Sequence, residues 1–227
     1  MRHTAISLLV LAALGGPAAH AVELELPAGG GLFALRVVGL SAMRYQSTVH
    51  QQYDFSCGSA AVATLLRYHY DFPADEQQVF AEMYAQGEQA RIRREGFSLL
   101  DMKRYLARHG FTADGYALPL ARLVQARYPA IVLVSDHGYQ HFVVVKGVAE
   151  GRVLLGDPAV GTRAMSEAAF EAIWRNRLLF VIHGWRGTAR FNAVGDWRAA
   201  PRAPLTDPFE SRGLADITLP KNGPGNF

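Results

Sequence analysis

The sequence predicts an α+β domain with its helices first and an antiparallel sheet second. Three observations predict it. Apolar residues recur at helical spacing between residues 59 and 110, continuous β-branched runs follow residue 129, and turn-forming residues cut those runs into hairpin arms. Leu32 to Val38 is apolar and β-prone and reads as a strand behind the hinge Gly29-Gly30-Gly31. Gln51 to Gly58 is a polar, aromatic-containing approach to a first helix from Ser59, with Val62, Leu65, Leu66 and His69 on one face and Pro73 as its stop. Asp75 and Gln78 have the form of a capping box, opening a second helix whose apolar face is Val79, Phe80, Met83 and Tyr84. Ser98 and Asp101 open a third, carrying Leu99, Met102 and Leu106 and ending at Gly110. Ala130 to Val134 and His141 to Val148 read as the arms of a hairpin turning at Ser135-Asp136-His137-Gly138. Arg152 to Leu155 is a short strand ending at Gly156-Asp157-Pro158; Ser166 to Trp174 reads as a helix and Leu178 to Ile182 as a last strand.

These elements fall inside residues 43–185, with residues 22–42 expected as an N-terminal strand and linker. Residues 1–21 read as a secretory signal peptide: Arg2 precedes the apolar stretch Ala5 to Leu14, Gly15-Gly16-Pro17 breaks it, and Ala19-His20-Ala21 offers a small-x-small cleavage site. That run is far short of the ~20 residues a spanning helix needs, so a periplasmic protein with no membrane span is expected after cleavage at Ala21. Residues 186–227 hold five of the eleven prolines and little periodicity, and read as an extended or partly disordered tail. Net charge is only +3, and the densest cationic run, Arg91 to Arg94, is interrupted by Glu95; it reads as a solvated loop, and nucleic acid is not an expected partner.

Secretion makes the single cysteine informative, because exported domains commonly use cysteines in pairs. A lone one is either buried and inert or a reactive thiol. Cys57-Gly58 stands at the start of the first long helix, where free N–H groups and the positive dipole end favour a thiolate, and Gly58 would let a substrate backbone approach the sulfur. A thiol nucleophile needs a base, and the base a group to fix its tautomer. Of the eight histidines, His141 differs by opening the buried-type strand His141-Phe142-Val143-Val144-Val145, where an imidazole needs a partner; a bond to backbone is the alternative to a catalytic one. Asp157, at the end of the next strand, could meet it across an antiparallel pair, although Asp-Pro is also a common turn starter.

The segment Gln51-Gln52-Tyr53-Asp54-Phe55-Ser56-Cys57-Gly58-Ser59-Ala60-Ala61 resembles the active-site segment of the bacteriocin-processing (double-glycine leader) cysteine peptidases, which have a papain-like fold. Gly96-Phe97-Ser98-Leu99, Pro129-Ala130-Ile131 with His141-Phe142-Val143-Val144-Val145, and Asp157-Pro158 match in order, so the likeness spans about Met43 to Gly184. It implies Cys57 as nucleophile, His141 as general base and acid, Asp157 as orienting carboxylate, and Gln51 as side-chain donor to an oxyanion hole beside the Cys57 N–H. Gln52 is the alternative donor. The signal peptide, with no exporter or ATPase segment, resembles the stand-alone secreted branch, some of whose members accompany secretion and amyloid-fibre systems. The implied reaction is hydrolysis of a peptide or protein substrate after small residues of Gly-Gly type. A non-catalytic peptide-binding module and a thiol acyltransferase are the rival functions. No cofactor or metal motif is present in the sequence, and none is expected.

Overall fold

A computed structural model describes residues 22–28, 31–37, 39–136 and 138–202. The expected signal peptide and the end of the expected tail lie outside the described residues. Two compact units divide the chain near residue 43. In the first, β1 (Val22–Ala28) pairs antiparallel with β2 (Gly31–Val37) from Val22↔Val37 to Ala28↔Gly31. The expected strand is therefore the second arm of a hairpin, and the linker before it is the first arm. Its alternation Val22-Glu23-Leu24-Glu25-Leu26 is a strand pattern the short length concealed. A short helix, α1 (Leu40–Arg44), follows in the chain.

The second unit is built around α2 (Cys57–His69). Ala60 to Leu66 are buried without interruption, so this helix is wrapped on all sides rather than amphipathic. Its small residues let neighbours approach closely, and each fully buried leucine contributes roughly 1.5–3 kcal/mol. The second helix is α3 (Glu76–Gln86), opened by Asp75, whose carboxylate accepts from the Gln77 and Gln78 N–H groups. The expected reciprocal box is absent there, because the Gln78 side chain bonds Glu82 instead. The run read as a solvated loop is a short helix, α4 (Gln89–Glu95), braced by the Arg91–Glu95 pair. A full capping box does open α5 (Leu99–Arg108), where Ser98 and Asp101 each bond the other's backbone.

The remaining elements are β3 (Thr112–Tyr116), α6 (Ala121–Ala126), β4 (Ala130–Asp136), β5 (Tyr139–Ala149), β6 (Arg152–Asp157), β7 (Gly161–Ser166), α7 (Glu167–Ile173), β8 (Leu179–His183) and α8 (Val194–Arg198). Six strands form one antiparallel sheet in the order β3-β8-β4-β5-β6-β7. Alternate residues of its central strands enter two cores. Ile131, Phe142, Val144 and Phe180 join the core of α2, α3 and α5, while Val132, Val134, Val143 and Val145 pack with Phe170 of α7 and Trp174 just after it. A sheet covered on both faces needs apolar residues at every position, which is why β4 and β5 read as continuous runs.

Residues 186–202 correct the expectation of an extended tail. Phe191 is buried in the α7-side core, Arg190 N–H donates to the His69 carbonyl and Asn192 N–H to that of Lys146. Helix α8 brings Asp196 to the Lys146 ammonium at 3.1 Å. The contacts holding this segment lie far away in sequence, so local periodicity carried no sign of them.

Candidate active site

Cys57 is the first residue of α2, and a tight turn sets it there. Ser56 is fully buried; its hydroxyl donates to the Tyr53 carbonyl and accepts from the Tyr53 N–H, at 3.0 and 3.1 Å. Ser59 ties the same turn to Glu76 of α3 at 2.9 Å. The sulfur faces the backbone N–H groups of Phe142, Gly58 and Cys57 itself. It therefore meets β5 at the residue following His141. The N–H groups at the helix end lower the thiol in the direction expected, but burial is the largest influence and pushes it up, and Asp157 pushes the same way. Gly58 also has a different reason from the one expected. A Cβ there would stand 2.9 Å from both Phe97 Cβ and Met102 Cε, so the glycine serves core packing, not substrate approach.

His141 lies at the mouth of β5, 5 % exposed, with Nε2 3.4 Å from Asp157 Oδ2. That contact is an ion-pair distance without hydrogen-bond alignment, and neither ring nitrogen has a hydrogen-bond partner. The other candidate histidines are occupied or exposed. His69 Nδ1 meets the Arg190 carbonyl at 2.6 Å, and His109 and His183 meet Glu82 and Asp114, each at 2.8 Å. His50 is exposed against Tyr45, and His137 lies outside the described residues.

Asp157 is 1 % exposed and closes the hairpin from β6 to β7. Its Oδ1 accepts from the Ala159 N–H at 3.0 Å, and its Oδ2 accepts from Arg163 Nε and Nη2 at 3.0 and 2.9 Å. Burial works to raise this carboxyl, but His141, Arg163 and the Ala159 N–H together hold it below its ordinary value. Arg163 was missed in the sequence. Its signal was chemical: a buried carboxylate needs more than one donor, and Arg163 follows Asp157 around a tight hairpin.

The two glutamines separate clearly. Gln52 is exposed, whereas Gln51 is half-buried and its N–H donates to the Pro158 carbonyl at 3.1 Å, joining this segment to the Asp157 turn. The Gln51 side-chain nitrogen donates to the Tyr53 carbonyl at 3.2 Å, and its oxygen is buried without a partner. Two hollows flank the site. One of about 440 Å³ is lined by Asp54, Phe55, Cys57, Arg94, Gly96 and Tyr139. The other, about 270 Å³, is lined by Tyr139, His141, Asp157, Val160 and Arg163. A more apolar hollow of about 430 Å³ beside α6 and β8 contains none of these groups. Among the described residues no His, Cys, Asp and Glu cluster could hold a metal, and no helix is long and apolar enough to cross a membrane.

With this geometry in place, comparison with known proteins is informative. The peptidase C39 family model matches residues 45–184. A Pseudomonas aeruginosa protein named probable functional amyloid protease FapD is 40 % identical over 206 residues, covering 91 % of this chain and 88 % of its own. Its namesake from Pseudomonas fluorescens is 38 % identical over 207 residues, with the same coverage. The peptidase domain of Streptococcus ComA, a bi-functional ABC transporter involved in a quorum-sensing pathway, superposes with a TM-score of 0.50 at 23 % identity, covering 60 % of this chain and 96 % of that domain.

Proposed function

The chain belongs to the peptidase C39 family, a cysteine-peptidase family of papain-like fold, and from that premise we propose that Cys57, His141 and Asp157 form its catalytic triad. The observation that carries the reading is His141: a buried imidazole beside a carboxylate, next in chain to the residue that touches the only cysteine, and with both nitrogens lacking a hydrogen bond. Such a group is costly unless something else uses it.

Burial pushes the Cys57 thiol up, and the imidazole takes its proton as the sulfur attacks. Nε2 faces Asp157, which leaves Nδ1 for the thiol. The sulfur then bonds the substrate carbonyl carbon, and the new oxyanion is met by the Cys57 N–H and the Gln51 amide. To meet that charge the amide would exchange the bond its nitrogen donates to the Tyr53 carbonyl for one to the oxyanion. His141 returns the proton to the departing amine, and water hydrolyses the thioester with the same histidine as base. Asp157, fixed by Arg163 and the Ala159 N–H, stands 3.4 Å from Nε2 and would hold the ring in the required tautomer once that contact closes to a hydrogen bond.

We further infer a secreted enzyme cleaving after small residues of Gly-Gly type, in a protein handled by a secretion or amyloid-fibre system. The names of the two Pseudomonas relatives support the fibre assignment, and the Ala19-His20-Ala21 pattern supports export. Protein recovered from the envelope of a competent host should begin at Val22; intact Met1–Ala21 there would refute export. A peptidyl acyloxymethyl ketone bearing Gly-Gly should alkylate Cys57 in the full chain and fail to do so in His141→Ala. Equal labelling of both proteins would remove His141 from the mechanism.

A further inference from the structure

The two hollows at the site share one residue. Tyr139 stands in the strand two positions before His141, its ring edge-on to the imidazole with centroids 5.4 Å apart. Its hydroxyl crosses to the opposite side and donates to the Asp54 carbonyl at 2.9 Å, in the turn that delivers Cys57. The same hydroxyl faces the Gln51 side chain and feels the Cys57 sulfur. Tyr139 lines both the Cys57 hollow and the hollow of His141 and Asp157. A residue 49 % exposed is thus tethered at its far end. Such a tether fixes a ring that would otherwise rotate freely.

A peptide cleaved at Cys57 with His141 as base must pass from one hollow to the other. The ring of Tyr139 stands in that path. We propose that Tyr139 is a specificity-determining residue, a tethered wall across the cleft that admits only residues with little or no side chain beside the bond to be cut. This rests on the peptidase reading above and names the part of the cleft that sets its small-residue preference. The wall has two separable parts. The ring supplies the bulk, and the hydroxyl bond to Asp54 holds the bulk in place. Gly138 just before it has φ of +83°, so the strand starts at a tight turn, and the bond from the hydroxyl to Asp54 fixes the far end of the ring.

The test uses the full chain and three acyloxymethyl ketones ending in Gly-Gly, Gly-Ala and Gly-Val, with the rate of Cys57 alkylation followed by intact mass. The wild type should react with Gly-Gly about 100-fold faster than with Gly-Val, the discrimination expected where a pocket refuses a branched side chain. Tyr139→Ala should bring the two within about tenfold, the Gly-Val rate rising relative to the Gly-Gly rate. Tyr139→Phe keeps the ring and loses the tether, and should fall between. An unchanged ratio in Tyr139→Ala, with Gly-Gly labelling retained, overturns the role of Tyr139 and leaves the peptidase reading standing. If Tyr139→Ala loses all labelling, the ratio in Tyr139→Phe decides: a wild-type value overturns the proposal. Should none of the ketones label wild-type protein that iodoacetamide still alkylates, the peptidase reading falls and this inference falls with it.

Discussion

Strand β5 carries two buried polar side chains five residues apart, and they are treated in opposite ways. Lys146, wholly buried, has its ammonium 2.7 and 2.6 Å from the Ser47 carbonyl and hydroxyl oxygens and 3.1 Å from Asp196 Oδ1. Ser47 in turn bonds Asp196, and Thr48 bonds Thr162 at 2.7 Å beside them. Every donor of the ammonium is used. Burial still pulls Lys146 down to about 8, with Asp196 opposing it. His141 has a carboxylate at 3.4 Å and no hydrogen bond at all. The contrast separates a polar group that fastens the fold from one left available for a ligand. It also locates the fastening: Ser47 lies just before the Gln51 segment and Asp196 in the C-terminal segment beyond the residues the family model matches, so Lys146 clamps both to strand β5.

The largest effect should come from emptying the unsatisfied site. His141→Ala and Cys57→Ala should each lower kcat/KM on a cleaved peptide by at least about 10⁴-fold while the urea midpoint moves little, since neither side chain contributes a hydrogen bond that folding depends on. Retained turnover in Cys57→Ala would end the comparison at once. The clamp should behave in reverse. Asp196→Ala leaves a buried ammonium short of its counter-charge and should cost about 3–5 kcal/mol in urea denaturation, with the kcat of the remaining folded enzyme close to that of the wild type. A selective loss of kcat at unchanged stability would show that the tail acts on chemistry instead.

A third variant tests the segment lying between the two regions. Gln51→Ala should lower kcat about 10²–10³-fold with KM little changed, because an oxyanion donor acts only as negative charge develops. Gln51→Glu should be worse, since a carboxylate repels that charge. Exposed Gln52→Ala should be nearly silent. Equal, severe defects at both positions would make the segment a structural element attached to the clamp.

How far this was readable from residues alone follows the same division. The catalytic candidates were legible because their chemistry is local: a lone cysteine at a helix start, a histidine opening a β-branched strand, an aspartate ending the next. Strand β5 was legible because both its faces are buried. By contrast β3, Thr112-Ala113-Asp114-Gly115-Tyr116, has too few apolar residues to register, and it exists because β8 offers it an edge. The Lys146 clamp was invisible, since a lysine in a strand and an aspartate some fifty residues later mean nothing apart. Gly58 was misread for one reason. Helix-start rules describe an exposed terminus, whereas this one is packed against Phe97 and Met102 and buried.

The smallest expected effect sharpens the comparison through pH. His69 closes α2 and is buried against the clamp, its Nδ1 bonded to the Arg190 carbonyl and its Nε2 without a partner. Burial, then the neighbouring Lys146 ammonium and Arg190, pull it down to about 4, against a bond to the Arg190 carbonyl and the pull of Asp196 in the other direction. The folded protein thus keeps a neutral ring where the unfolded chain, with an ordinary histidine near 6.5, takes up a proton. Stability from this group is complete above pH 6.5 and is lost as pH falls toward 4, by at most about 3 kcal/mol. The lowered Asp157 carboxyl also begins to lose its contribution as pH falls toward the ordinary value of 3.8, but equally in wild type and variant, so comparing the two cancels it. Raised Glu76 works in the opposite sense, and comparing variants cancels it. His69→Asn keeps a donor for the Arg190 carbonyl but cannot titrate. Urea midpoints at pH 7, 5.5 and 4.5 should therefore fall less steeply in His69→Asn than in the wild type. Parallel slopes would mean that His69 stays protonated beside Lys146, and that the clamp tolerates a second cation its geometry leaves no acceptor for.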